Sequence, residues 1–298
     1  MKKWGCLLLL LIGVFFFFVY KESPLSDKIV IQKNSGYLDN RANDEGLRKI
    51  KISREMVFQG NLLLINKEFP VHQESIKSDV VELFRHKEWT QGFVLFDNKI
   101  KLSKEVLHKF SEMIAAAKKE GVNHFLISSG FRDFEEQNVL YHDMGADYAL
   151  PAGYSEHNLG LSLDVGSTQM KMEAAPEGKW LENNAWRYGF ILRYPKDKTE
   201  VTGIQYEPWH IRYVGLPHSA IMAEKDLVLE EYLAYLKEER NISITLNEKK
   251  YDVSYYPLAK TTDIHVPDNL HYELSGNNID GVIVTVFNGE TNPSQMDR

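Results

Sequence analysis

The sequence predicts an α+β fold. Three observations lead there. Residues 103–120 carry one apolar stripe at helical spacing, Val106, Leu107, Phe110, Met113, Ile114 and Ala117. Several short apolar or alternating runs, such as 124–129 and 159–165, have the period of strands. No strict strand–helix–strand rhythm connects them, so a doubly wound parallel sheet is not expected. At 298 residues, 43% hydrophobic and 26% charged, the chain is neither disordered, collagen-like nor polytopic in a membrane. Its net charge of −7 disfavours a nucleic-acid partner, and the single cysteine, Cys6, excludes an internal disulfide and a cysteine zinc site.

Taken in order, Met1-Lys2-Lys3 precedes an uncharged run over 4–20. As a helix that run spans about 26 Å, just short of a hydrocarbon core of about 30 Å. It ends in aromatics and Tyr20-Lys21-Glu22 with no small-x-small cleavage site. Residues 1–21 therefore read as an uncleaved single-pass anchor, with Lys2 and Lys3 inside and the rest on the extracellular side of the cell membrane. A cleaved signal is the other reading, and it too exports the chain. Residues 22–55 hold no apolar period and read as an extracellular tether. Residues 56–240 are the main folded domain.

Within that domain, 62–65 reads as a short buried strand and 103–120 as the best helix, with Gly121 closing it. A strand over 124–129 ends at Gly130. Asp133 with Glu136 resembles a capping box for a helix to about Met144. In 159–165, Leu159, Leu161, Leu163 and Val165 alternate with Gly160, Ser162 and Asp164, a strand with one buried face. A short helix over 179–188 is closed by Gly189, strands follow at 190–194 and 211–214, and Pro217 opens a last helix to about Glu238. Residues 241–298 change character: short β-prone runs separated by turn clusters predict a small all-β appendage of unassigned role, its tyrosines 251, 255, 256 and 272 serving as sheet core.

The chemistry is sparse elsewhere. Ser-x-x-Lys, Gly-x-Ser-x-Gly, His-Glu-x-x-His, Gly-x-Gly-x-x-Gly and a P-loop are all missing from the sequence. Of ten histidines, two sit in unusual company: His157 in Ser155-Glu156-His157-Asn158-Leu159-Gly160-Leu161-Ser162-Leu163-Asp164, and His210 in Glu207-Pro208-Trp209-His210. Two imidazoles and a carboxylate suffice for a catalytic zinc that keeps its fourth position open. Strand alternation turns Asp164 away from the leucines, where it needs a cation or an arginine as partner. Pro208 forces Glu207 out of the α region, so a bend can present its carboxylate beside a metal rather than on it. A carboxylate there can take a proton from water that a metal has acidified to a pKa of about 7. The bland alternative, two histidines satisfied by hydrogen bonds in core and turn, stays open on spacing alone.

The Ser-x-His-x-x-Gly-x-x-x-Asp string together with Glu-Pro-Trp-His resembles the zinc D,D-carboxypeptidases of the VanY family. The likeness extends through Ser129-Gly130-Phe131-Arg132, Gln137, Arg193-Tyr194-Pro195 and Ile211-Arg212-Tyr213-Val214-Gly215, covering about 57–238. The anchor, tether and β tail are also similar to membrane-attached members from glycopeptide-resistance clusters. The resemblance implies that His157, Asp164 and His210 bind Zn²⁺, that Glu207 is the catalytic base, and that Arg132, Gln137 and Ser155 meet the substrate. Arg132 would hold either the terminal carboxylate or the developing oxyanion. A departure is Ser162, where many members carry Ala; it falls on the metal side of its strand, where it can adjust a hydrogen bond behind a ligand. The implied reaction is penicillin-insensitive hydrolysis of the terminal D-Ala from peptidoglycan precursors ending in D-Ala-D-Ala. An L,D-carboxypeptidase or D,D-dipeptidase at the same site, and a non-catalytic peptidoglycan-binding protein, remain as rivals.

Overall fold

The apolar stripe forms the helix its spacing requires. Lys104–Lys119 is α-helical and buries Val106, Leu107, Phe110, Met113, Ile114 and Ala117. Ser103 caps it by accepting from the Val106 N–H, and Gly121 follows with φ +84°, a left-handed value that a side chain resists. The computed structural model describes residues 27–34, 46–145, 149–258 and 261–291. No helix among the described residues is long and apolar enough to cross a membrane; the proposed anchor over 4–20 lies outside them.

In chain order the strands are β1 (Ile29–Lys33), β2 (Leu47–Ile52), β3 (Val80–Glu82), β4 (Phe93–Leu95), β5 (Lys101–Ser103), β6 (Phe125–Ser129) and β7 (Ser162–Ser167). They continue as β8 (Phe190–Leu192), β9 (His210–Tyr213), β10 (Asn241–Leu246), β11 (Lys249–Pro257), β12 (Thr262–Pro267), β13 (Leu270–Gly276) and β14 (Gly281–Thr291). The fold is α+β, as expected. A central sheet of order β4-β6-β7-β9-β8 shares a core with the long helix through Phe93, Phe110, Phe125, Leu163, Val165, Phe190 and Ile211. Its pairs are antiparallel except β4 with β6, which run parallel. The chain between those two strands passes through the long helix, and such a crossover is what permits parallel pairing.

Several elements differ from expectation for identifiable reasons. Residues 62–65 are buried but form no strand: the Leu62 N–H donates to the Ser275 hydroxyl, and the Leu64 N–H to the Asn277 carbonyl. The strand expected over 159–165 begins at Ser162, because Glu156–Asn158 is a 3₁₀ turn and Gly160 has φ +85°. The last helix is two, His218–Lys225 and Leu229–Glu239, broken where Asp226 turns left-handed at φ 52°.

The largest correction concerns 22–55 and the β tail. β1 pairs antiparallel with β10, and β2 with β12, so much of the expected tether is sheet. Ile29 and Ile31 pack on a cluster that includes Ile242, Ile244, Tyr251, Val253 and Ile283, and β2 buries Ile52 in a second one. Each strand is short and mixed with lysines, so neither shows an apolar period until its partner supplies the other half. The C-terminal sheet, of order β1-β10-β11-β14-β13, is antiparallel throughout. Its core takes in Leu62, Leu64, Tyr232, Leu233 and Leu236 from the preceding chain, and Tyr251 and Tyr255 are buried as expected.

Candidate metal centre

Three short elements converge at the β7–β9 pair inside the central sheet. His157 lies on the Glu156–Asn158 turn, where the Ser155 hydroxyl accepts from the His157 N–H at 3.3 Å. Asn158 pins that turn by donating to the Arg132 carbonyl at 2.7 Å and accepting from the Gly153 N–H at 3.0 Å. His157 Nδ1 is 2.6 Å from the Gly130 carbonyl oxygen. A carbonyl only accepts, so Nδ1 carries the proton and Nε2 keeps a free lone pair. That Nε2 faces Asp164 Oδ2 at 3.4 Å.

Asp164 occupies the face of β7 opposite Leu163 and Val165, as alternation requires, and His210 is its register partner on β9. Cross-strand partners bring their side chains together, and Asp164 Oδ1 lies 3.0 Å from His210 Nδ1. Glu207 is held by the bend that Pro208 imposes: its N–H donates to the Tyr194 carbonyl at 3.0 Å, and its carbonyl accepts from the His210 N–H at 3.2 Å. Its Oε2 stands 4.0 Å from His210 Nδ1.

One ligand atom each from His157, Asp164 and His210 lie within 4.8 Å of one another. Two imidazoles and a carboxylate, with Glu207 beside them and outside the trio, match the donor set of a zinc with one position left for chemistry. The charges agree with a cation site. Burial opposes ionisation of Asp164, yet His157 and His210 hold its carboxyl well below the usual range. Burial also works against a charged His210, but its hydrogen bonds to Asp164 and Glu156 push it up to about 9. Burial lowers His157. It raises Glu207, against the pull of His210, and the Asp164 and Glu156 carboxylates add to that rise.

The residues expected to meet substrate fall in different places. Arg132 projects toward the site with its Nε donating to Gln137 Oε1 at 2.8 Å and its Nη1 to the Ser129 hydroxyl at 3.0 Å. Gln137 is buried behind it, its amide nitrogen donating to the Leu150 carbonyl at 2.6 Å. Gln137 therefore reaches the site through Arg132. Ser155 is buried as the cap of the His157 turn. A cleft lined by Leu150, Arg193, Tyr194 and residues 202–204 lies alongside, the Tyr194 ring 5.0 Å from that of His210.

Sequence reasoning passed over Glu156. This carboxylate is 2% exposed and fully engaged: Oε1 accepts from Arg193 Nε at 2.9 Å and Arg212 Nη1 at 2.8 Å, while Oε2 accepts from the Ser162 hydroxyl at 3.1 Å and faces His210 Nε2 at 3.3 Å. The signal was present in Arg193 and Arg212. Two arginines in otherwise apolar strand runs require a buried acid.

A helix-backed sheet that presents two histidines, an aspartate and a neighbouring glutamate defines a metallopeptidase. The family described as VanY, D-alanyl-D-alanine carboxypeptidase, matches residues 99–216. A D-alanyl-D-alanine carboxypeptidase of Enterococcus faecium is 61% identical over 98% of each chain. The putative carboxypeptidase YodJ of Bacillus subtilis is 33% identical, covering 68% of this chain and 76% of its own. The crystal structure of the vancomycin resistance D,D-dipeptidase VanXYg, in complex with a D-Ala-D-Ala phosphinate analog, superposes with a TM-score of 0.71 at 31% identity. That match spans 81% of this chain and 99% of the other, more than residues 56–240 alone make up. The chain belongs to the VanY family of D-alanyl-D-alanine carboxypeptidases.

Proposed function

We propose that this chain is a zinc-dependent D,D-carboxypeptidase that removes the terminal D-Ala from peptidoglycan precursors ending in D-Ala-D-Ala, and thereby contributes to glycopeptide resistance. The observation that carries the reading is the convergence of His157, Asp164 and His210 with Glu207 4.0 Å from His210. Bound by the trio, Zn²⁺ supplies a Lewis acid that polarises the scissile carbonyl and acidifies water. Glu207 takes the proton from the attacking water and returns it to the leaving amine of the terminal D-Ala; burial, which raises its carboxyl, suits both halves of that transfer. Arg132, held by Gln137 and Ser129 and near enough to Asp164 and Glu207 to feel their charge, offers a fixed guanidinium for the substrate carboxylate or the developing oxyanion. Gln137 and Ser155 act by holding Arg132 and the His157 turn. A base placed beside a metal trio has no use in a protein that merely binds the wall, which argues against a non-catalytic reading.

The superposition on a D,D-dipeptidase in complex with a D-Ala-D-Ala phosphinate analog favours one further possibility for specificity, cleavage of free D-Ala-D-Ala. The chain without residues 1–21 should release D-Ala from a pentapeptide ending in D-Ala-D-Ala. EDTA and Glu207→Gln should each abolish release, and penicillin should leave it intact. Cleavage of tetrapeptide or free D-Ala-D-Ala in preference to pentapeptide would move the specificity to the L,D or dipeptide class. Inhibition by stoichiometric penicillin with EDTA harmless would overturn the zinc mechanism. We also place the chain at the cell membrane through the uncharged run over 4–20, with the catalytic body outside, where its substrate is found. Protease accessibility of the folded body on intact cells tests that placement.

A further inference from the structure

We infer that Glu156 is the positioning residue of the metal centre: its carboxylate accepts the Nε2 proton of His210 and so commits Nδ1 to the metal. The inference rests on the zinc reading. His210 Nδ1 faces Asp164 Oδ1 at 3.0 Å while Nε2 faces Glu156 Oε2 at 3.3 Å. Both nitrogens face a carboxylate, which can only accept, and a neutral imidazole carries one proton; with a metal held beside Asp164 on the Nδ1 side, that proton stays on Nε2, where Glu156 accepts it. A carboxylate or carbonyl behind a ligating histidine fixes both tautomer and ring direction. Here each histidine has its own: the Gly130 carbonyl for His157 and Glu156 for His210.

Glu156 is itself immobilised. Arg193 and Arg212 bind one of its oxygens, and Arg193 is clamped from its far side by both oxygens of Glu230 at 2.9 and 2.6 Å. Arg212 is tied to the Asn61 and Leu63 carbonyls at 3.1 and 3.0 Å. Ser162, the departure from the family pattern, donates at 3.1 Å to the Glu156 oxygen that faces His210. The chain of contacts thus runs from the C-terminal helix and the 61–63 segment to the metal-facing nitrogen.

The arrangement makes Glu156→Gln informative. Both arginines only donate, so they demand the amide oxygen of a glutamine. Its NH₂ then faces His210 Nε2 and donates to it, which moves the imidazole proton to Nδ1 and blocks the metal. In the full chain loaded with Zn²⁺, ¹H–¹⁵N correlation spectra of labelled histidine should show His210 bound through Nδ1 and protonated at Nε2. Competition with a chromophoric chelator should give Glu156→Gln a zinc affinity roughly 10- to 100-fold weaker than wild type, with His210 protonated at Nδ1. A folded Glu156→Gln with unchanged zinc affinity overturns the inference, and so does wild-type coordination through His210 Nε2. The wild-type spectrum decides alone if the variant does not fold. Wild-type protein that binds no zinc removes the zinc reading itself, a result distinct from either.

Discussion

Glu207 and Gly130 show how single residues set the chemistry. Glu207 lies outside the trio, its Oε2 4.0 Å from His210 Nδ1. Glu207→Gln should lower kcat about 10²- to 10⁴-fold while zinc affinity measured by chelator competition stays near wild type. Gly130 acts through its backbone. A Cβ there would sit 2.2 Å from the Lys101 carbonyl, and the Gly130 carbonyl is the acceptor that orients His157. Gly130→Ala should therefore weaken zinc binding by an amount of the same order as losing the partner of a ligating histidine, roughly 10-fold or more, in the same competition assay. The ligand residues and the base stood out in the sequence because each sits in a short local string, but spacing alone left the core-and-turn reading open, and their roles came from the resemblance to the VanY family. Glu156 was not legible as a functional residue. Its partners, Arg193, Arg212 and His210, lie 37 to 56 residues further along the chain, and only the fold shows that one carboxylate serves them all.

At the scale of elements, the connecting segments carry as much of the order as the helices and strands. Residues 61–65 form no regular structure, but their carbonyls are claimed by Arg212 on one side and by Asn278 on the other. Asn278 donates 2.9 Å bonds to the Leu64 and Pro70 carbonyls from a left-handed position at φ 63°. Asn278→Ala should cost about 1–3 kcal/mol, with alanine's resistance to that backbone adding to the loss, measured by urea unfolding. The helix His218–Lys225 is joined to β14 by a buried histidine. His218 Nδ1 meets the Tyr232 hydroxyl at 2.7 Å, and Nε2 meets the Thr285 hydroxyl at 3.0 Å. Burial pulls His218 down to about 3, so the folded protein keeps it neutral over a range where the unfolded chain takes up a proton. Stability should fall with pH below about 6.5, by up to about 1.4 kcal/mol per pH unit from this residue. His218→Gln should lose that portion of the slope, read as the difference between the two proteins' unfolding curves at pH 7 and pH 5. Helix 104–119 and the capping box at Asp133 were readable because both are encoded within a few residues. The 61–65 segment was not, since its hydrogen bonds run to residues far along the chain.

The molecule as a whole is closed by its two ends. β1 covers β10 at the edge of the C-terminal sheet, and β2 pairs β12, so chain from before the central domain completes sheets that follow it. A chain beginning at Val57 would bare the edge of β10 and strip β12 of its partner. Exposed strand edges recruit other chains. Such a truncation should aggregate on size-exclusion chromatography, whereas one beginning at Glu22 should elute as folded protein. The same pairing changes the geometry of attachment. β1 begins at Ile29, so only residues 21–28 lie between the uncharged run and the first strand. Fully extended, they reach no more than about 28 Å. On the proposed membrane attachment, the enzyme works on a short leash, confined to the layer of cell wall nearest the lipid. It would meet its peptides as they arrive at that surface, before they are carried outward into the mature wall.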